Sequence, residues 1–288
     1  MKILLTGANG QLGRCFRDLV SETDTVLALG SQELDISNRQ AVIETAKQFQ
    51  PDIIINAAAY TAVDKAESEP ERAAAVNSHG PENLALAAKA VGVRLVHVST
   101  DYVFDGTGST PYLETDAVNP LGVYGQTKLA GELLVRSILP DAIIVRTAWV
   151  FSEYGNNFVK TMLRLAKDRS ELGIVADQVG CPTYAGDIAT VILKMLKENA
   201  AGGIYHYCGD RSLSWAEFAK IIFLKAEYFG IIKDKPKVNL ISTEEYPTPA
   251  KRPNYSVLSA YKVSKYHPPS NWDLSLDNVL MKLVLDVI

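Results

Sequence analysis

Apolar residues come first in short runs. Ile3–Thr6, Thr25–Leu29, Asp52–Asn56, Arg94–Ser99 and Ala142–Ala148 are bounded by polar or turn residues. Runs of this length, rich in Ile, Val and Leu, predict buried strands. Between them, Leu12–Ser21, Asn38–Phe49, Pro70–Ala90 and Tyr124–Ile138 place apolar residues three and four positions apart and predict helices. Ser37 is the expected N-cap of the second, and Pro70 stands near the first turn of the third. Strand alternating with helix predicts βαβ units and right-handed crossovers. The expected fold is α/β: a doubly wound parallel sheet of Rossmann type, with ligands outside the carboxyl ends of the strands.

After Phe151 the rhythm loosens. Helices are expected at Asn157–Lys167, Asp187–Glu198 and Ser214–Phe229, a strand near Gly173–Val175, and a Pro-rich turn segment at Tyr246–Pro253. This pattern predicts a dinucleotide-binding domain over 1–150, to which elements near 178–200 and 230–245 return. A smaller, interleaved substrate-binding domain is expected from 151–177, 201–229 and 246–288.

The turn behind the first strand reads Gly7-Ala8-Asn9-Gly10-Gln11-Leu12-Gly13. A glycine-punctuated turn that ends a strand and opens a helix presents backbone N–H groups and the positive end of the helix dipole to an anion, for which a pyrophosphate is suited. About twenty residues on, where an acid would grip a ribose 2′-hydroxyl, stand Gly30 and Ser31, so neither NADH nor NADPH is singled out. Asp35 follows, as a contact to the adenosine or as a plain turn residue.

Tyr124-Gly125-Gln126-Thr127-Lys128 begins the helix after the fourth strand, and that strand ends in Ser99-Thr100-Asp101. Residues four apart share a helix face, which places the ammonium of Lys128 beside the phenol of Tyr124 and predicts a lowered phenol pKa. Thr100 can hydrogen-bond a carbonyl oxygen while Tyr124 protonates it and Lys128 holds a nicotinamide ribose. A second match to the same spacing, Tyr261 and Lys265, lies beyond the expected sheet.

Composition narrows the classes. A net charge of −4 over 288 residues argues against nucleic acid as a partner. Cys15, Cys181 and Cys208 are widely spaced, which predicts neither a disulfide framework nor a zinc site. The apolar runs are too short for a membrane span. Met1-Lys2 leads straight into the first strand, so no signal peptide is expected and the cytoplasm is the expected compartment.

The glycine turn, Thr100, Tyr124 and Lys128 together resemble the extended short-chain dehydrogenase/reductase family. Asn56–Glu67, Ser99–Phe104, Arg146–Val150 and Tyr246–Pro249 are similar to its branch that reduces nucleotide-linked keto sugars, and the resemblance spans nearly the whole chain. It implies conversion of dTDP-4-dehydro-L-rhamnose to dTDP-L-rhamnose with NADPH or NADH. It further implies that Gly10, Gln11 and Leu12 meet the cofactor pyrophosphate, and Asp35 and Ile36 the adenosine. Ala59, Tyr60, Thr61 and Val98 would cover the remaining cofactor surface, and Thr100, Asp101 and Trp149 the sugar. Tyr124 would be the proton donor. Arg252, a fork of donors in the Pro-rich loop, is a candidate for the substrate diphosphate. Some members carry a glutamate two residues past the third glycine as part of a metal-bridged dimer. Here Arg14 and Cys15 stand in that region, which predicts no metal and a monomer or a metal-independent dimer. A dehydratase would carry Thr-Asp-Glu where this chain has Thr100-Asp101-Tyr102. A nucleotide-sugar epimerase and a cofactor-binding regulatory subunit remain as alternatives.

Overall fold

The computed structural model describes residues 1–285. Five parallel strands follow the predicted order: β1 (Lys2–Thr6), β2 (Thr25–Leu29), β3 (Ile53–Asn56), β4 (Arg94–Thr100) and β5 (Ile143–Thr147). A sixth, Gly203–His206, lies outside β5, and the sheet runs β2, β1, β3, β4, β5 and then this strand, all parallel. The chain turns from one side of β1 to the other between β2 and β3, so the crevice for a ligand opens at the carboxyl end of β1.

Both faces of the sheet are covered. Ile3, Leu5, Val96 and Val145 pack on one face with the helices α1 (Gln11–Leu19) and Ala185–Lys197. Leu4, Ile54, Leu95 and Ile144 pack on the other with α2 (Arg39–Phe49) and the helices Gly80–Val91 and Val123–Ile138. On this second face the row nearest the crevice turns polar. The Thr6 hydroxyl donates to Asn56 Oδ1 at 2.8 Å, and Asn56 Nδ2 lies 3.0 Å from His97 Nδ1, across three strands paired in register. Asn56 Oδ1 also accepts from Ala58 N, so its amide nitrogen faces His97 as the donor.

A second core gathers Phe151, Met162, Leu172, Phe218, Ile222 and Trp272 beneath the helices Phe158–Ala166, Trp215–Tyr228 and Trp272–Leu285. Its small sheet pairs Glu171–Val175 with Lys237–Ile241. Two expected placements are therefore corrected. Residues 203–206, assigned from the pattern to the substrate side, complete the main sheet, because Ile204 and Tyr205 pair with Ile144 and Val145. The 230–245 segment, expected to return to that sheet, instead joins Glu171–Val175.

Local capping also departs from expectation. Asn38, not Ser37, caps α2 by accepting from Ala41 N, while the Ser37 hydroxyl is donated to Asp35 Oδ1. The Pro70–Ala90 stretch is interrupted by a wide π turn at Ala75–His79, which carries Asn77 into the interior.

Candidate active site

Gly7 adopts φ +73°, and a Cβ there would lie 2.4 Å from Ala58 N, so the chain at the end of β1 turns directly against the loop after β3. A Cβ on Gly13 would lie 2.2 Å from Gly7 O, which seats α1 on the turn. Gly10 is different: its Cβ would meet only Gly7 O, at 3.4 Å, leaving its outer side open. Gly10 is the N-cap of α1 and provides no side-chain acceptor, so the first N–H groups of the helix, those of Gln11, Leu12 and Gly13, face outward for an anion. This cradle fits the pyrophosphate of a dinucleotide.

At the tip of β2, Gly30 donates its N–H to Glu33 Oε2 at 2.8 Å. A carboxylate thus reaches the end of β2 from three residues downstream, where the sequence pattern showed no acid. Asp35 is exposed and accepts from Ser37 N and Oγ, which is the turn role. Ile36 is buried beneath Gly80.

The loop after β3 carries Ala59, Tyr60 and Thr61, of which Thr61 lines the cleft. Asn77 fixes it by accepting from Tyr60 N at 2.8 Å and donating to Tyr60 O at 3.0 Å. The same Asn77 amide donates to Thr127 Oγ1, one residue from Lys128. Further along, Glu67 Oε1 accepts the N–H of Val123 at 2.9 Å. Gly122 offers the Val123–Ile138 helix no side-chain cap, and Glu67 supplies it from across the fold.

That helix carries Tyr124, Lys128 and Glu132 as a stripe four residues apart. The Lys128 side chain is buried, and its Nζ donates to the Val98 carbonyl at 2.7 Å. Burial lowers its pKa to about 8, and Glu132 acts in the opposite sense. Glu132 is held by the Arg146 guanidinium at 2.7 and 2.9 Å, a buried bidentate pair that engages the carboxylate one turn from Lys128. Tyr124 stands edge-on to Tyr102, with ring centroids 5.4 Å apart. Its phenol is pushed up to about 12 by burial, with Thr100 lowering it and Asp101 raising it further. The expectation that Lys128 lowers this phenol is thereby corrected, since the ammonium is turned to Val98 O and burial governs Tyr124.

Thr100, Asp101 and Tyr124 line a cleft of about 720 Å³, together with Gln11, Thr61, Thr147, Trp149, Trp215 and Arg252. The Thr100 hydroxyl donates to Asp101 Oδ1 at 2.9 Å and accepts from Tyr102 N at 3.2 Å. Burial raises the Asp101 carboxyl to about 6, against the lowering influence of the Ser256 and Thr100 hydroxyls. Trp149 has φ +45° and stacks on Trp215, with centroids 3.4 Å apart and planes 6° from parallel. Arg252 borders the cleft, yet its guanidinium is paired with Asp64 at 2.8 and 3.1 Å. Tyr261 is 87% exposed in a turn segment and stands outside the lining of the cleft.

Sequence reasoning missed Asn77, Glu67, Glu33, Glu132 and Trp215. The polar run Asn77-Ser78-His79 in the middle of Pro70–Ala90 was a usable signal for Asn77. The Ser214–Glu217 capping box, closed in both directions, marks where Trp215 enters the wall of the cleft.

The family model described as the RmlD substrate binding domain matches residues 1–285. A dTDP-4-dehydrorhamnose reductase of Aggregatibacter actinomycetemcomitans is 48% identical over 96% of this chain and 98% of its own length. The chain belongs to the dTDP-4-dehydrorhamnose reductase family. A crystal structure of a family member from Clostridium acetobutylicum superposes with a TM-score of 0.93, at 45% identity, over 98% of this chain and 99% of that one. A second, from Bacillus anthracis in complex with NADP, does so at 0.92 and 39% identity, over 98% and 99% of the two chains. Among the described residues no helix is long and apolar enough to cross a membrane.

Proposed function

We propose that the chain reduces the 4-keto group of dTDP-4-dehydro-L-rhamnose to give dTDP-L-rhamnose, using NADPH or NADH, with Tyr124 as the proton donor. The observation that supports this reading is that Thr100 and Tyr124 line one cleft, with Lys128 one turn along the Tyr124 helix, beside a glycine cradle open at Gly10, in a chain 48% identical to a reductase so named.

When bound, the nicotinamide supplies the hydride. Tyr124 gives its phenolic proton to the ketone oxygen as negative charge develops there. A phenol with a pKa of about 12 remains a competent acid, because an alkoxide is far more basic than phenolate. Lys128 provides positive charge beneath the reacting centre, and Asp101 holds the Thr100 hydroxyl in orientation. Gly10, Gln11, Leu12 and Gly13 bind the pyrophosphate, Gly7 shapes the turn, and Ala59, Tyr60, Thr61 and Val98 frame the remaining cofactor surface. Asp101 and Trp149 face the sugar, with the dTDP-linked keto sugar as the partner. The protein works in the cytoplasm as a monomer or as a dimer that needs no metal.

Oxidation of NADPH and NADH in the presence of dTDP-, UDP- and GDP-linked 4-keto sugars tests the reading. One equivalent of reduced nicotinamide consumed per dTDP-6-deoxy sugar is expected. Return of the nicotinamide to its starting state would identify an epimerase, and no turnover with any of these sugars would favour a regulatory subunit.

A further inference from the structure

Three residues of the cleft lining each carry a buried polar atom with no hydrogen-bond partner among the described residues: Ser99 Oγ, Asp101 Oδ2 and Thr147 Oγ1. Thr147 stands out for its place in the sheet. It pairs in register with Thr100 across β4 and β5. On β5 the row Ile143, Val145, Thr147 is apolar until its last member, and on β4 the row Val96, Val98, Thr100 ends in the same way. Thr100 has its hydroxyl engaged by Asp101 and Tyr102. The Thr147 side chain is only 5% exposed, and its hydroxyl is unengaged. Valine has nearly the same shape, and a buried hydroxyl without a partner is destabilising beside it. The polar group is therefore kept for something that enters the cleft.

We propose that Thr147 is a sugar-binding and specificity residue whose hydroxyl pairs with the substrate hydroxyl on the carbon next to the keto group. Adjacent strands lie about 4.8 Å apart, so a ketone protonated by Tyr124 beside Thr100 would place its vicinal hydroxyl within reach of Thr147 on the next strand. This assignment rests on the reductase reading above.

The test is Thr147→Val, assayed at saturating NADPH with the keto sugar and with an analogue lacking that vicinal hydroxyl. With the normal substrate, kcat/KM should fall by about tenfold or more. NADPH Kd, followed by nucleotide fluorescence, should be unchanged. The melting temperature should hold or rise, Thr147→Ser should retain most activity, and wild type and Thr147→Val should handle the analogue equally. Turnover of the normal substrate within twofold of wild type overturns the proposal. A loss confined to NADPH Kd, or a lowered melting temperature that Thr147→Ser does not restore, does so as well. If the wild type reduces no keto sugar, the reductase reading fails by itself. Calorimetric binding of dTDP-L-rhamnose then decides: weaker binding by Thr147→Val supports the assignment, and equal or absent binding overturns it.

Discussion

Glu67 and Val123 lie far apart in sequence, yet the Glu67 carboxylate accepts the Val123 N–H at 2.9 Å and caps the helix that presents Tyr124 on its first turn. A carboxylate at this end also complements the helix dipole. Glu67→Ala should cost about 1 kcal/mol of stability, as cap removal commonly does, and should lower kcat while leaving cofactor affinity in place. Glu67→Gln, which retains an acceptor oxygen, should recover most of the loss. Thermal melts and a kcat-against-Kd comparison check it, and an unaltered kcat in Glu67→Ala would remove the positioning role.

Tyr124→Phe should reduce kcat by about 10²-fold or more, the scale of a lost general acid. Tyr261→Phe should leave turnover unchanged, because that ring is exposed in a turn outside the lining of the cleft. Steady-state kinetics of the two variants separate the alternatives, and the reverse outcome would transfer the site to the C-terminal pair.

The pH profile follows from three groups. As pH rises through about 8 the Lys128 ammonium loses its proton, so kcat/KM should fall above that value, while Tyr124, at about 12, is still protonated. As pH falls through about 6 Asp101 gains a proton and Thr100 loses its charged acceptor, which sets the acid limb. Lys128→Arg should move the basic limb upward, and Asp101→Asn should abolish the acid one. Stability carries its own sign. Burial depresses the folded Lys128 pKa from 10.5, so the cost of a buried ammonium is fully present below about 8 and is relieved as pH rises toward 10.5. Lys128→Met should erase that rise in urea titrations across this window.

Cofactor choice should respond to Glu33. With Gly30 and Ser31 at the expected reading position, modest discrimination between NADH and NADPH is the starting expectation. The Glu33 carboxylate at the Gly30 N–H adds a negative group near the place of a 2′-phosphate. Glu33→Gln should therefore raise kcat/KM for NADPH relative to NADH. Paired kinetics with both nucleotides measure the ratio, and an unchanged ratio would show that Glu33 does not reach the ribose.

Metal removal should leave the protein intact. Burial pushes the Cys15 thiol up to about 12, so at neutral pH it is protonated and a poor ligand for a hard cation. The neighbouring Glu153 is paired with the ammonium of Lys282. Sedimentation and activity after exhaustive EDTA treatment, with and without added Mg²⁺, should coincide. A Mg²⁺-dependent change in mass would sink the idea.

The sheet strands β1 to β5 were legible because each is an apolar run closed by turn residues. Gly203–His206 was not: Gly-Ile-Tyr-His is too short and too mixed to stand out, and it becomes a strand through its pairing with β5. The residues proposed for the reaction centre were picked out by local spacing, as with Tyr124 and Lys128. Their supports were hidden, because Glu67 with Val123 and Asp64 with Arg252 are contacts between distant segments that no periodicity encodes. The ionisation of Tyr124 was misread for a related reason. Helical spacing gives a shared face, whereas the direction of the Lys128 ammonium is set by Val98 on another element.

The polar row Thr6, Asn56 and His97 has a consequence for assembly. Isoleucine repeats along β3 and aliphatic residues fill the neighbouring strands, so one apolar register of these parallel strands resembles another. A one-residue slip of β3 would turn Asn56 to the opposite, apolar face and strand the amide without Thr6 or His97. Three side chains drawn from distant parts of the chain thus act as a key, admitting the one alignment in which the glycine turn, the Asn77-fastened loop and the Tyr124 helix arrive at the same edge.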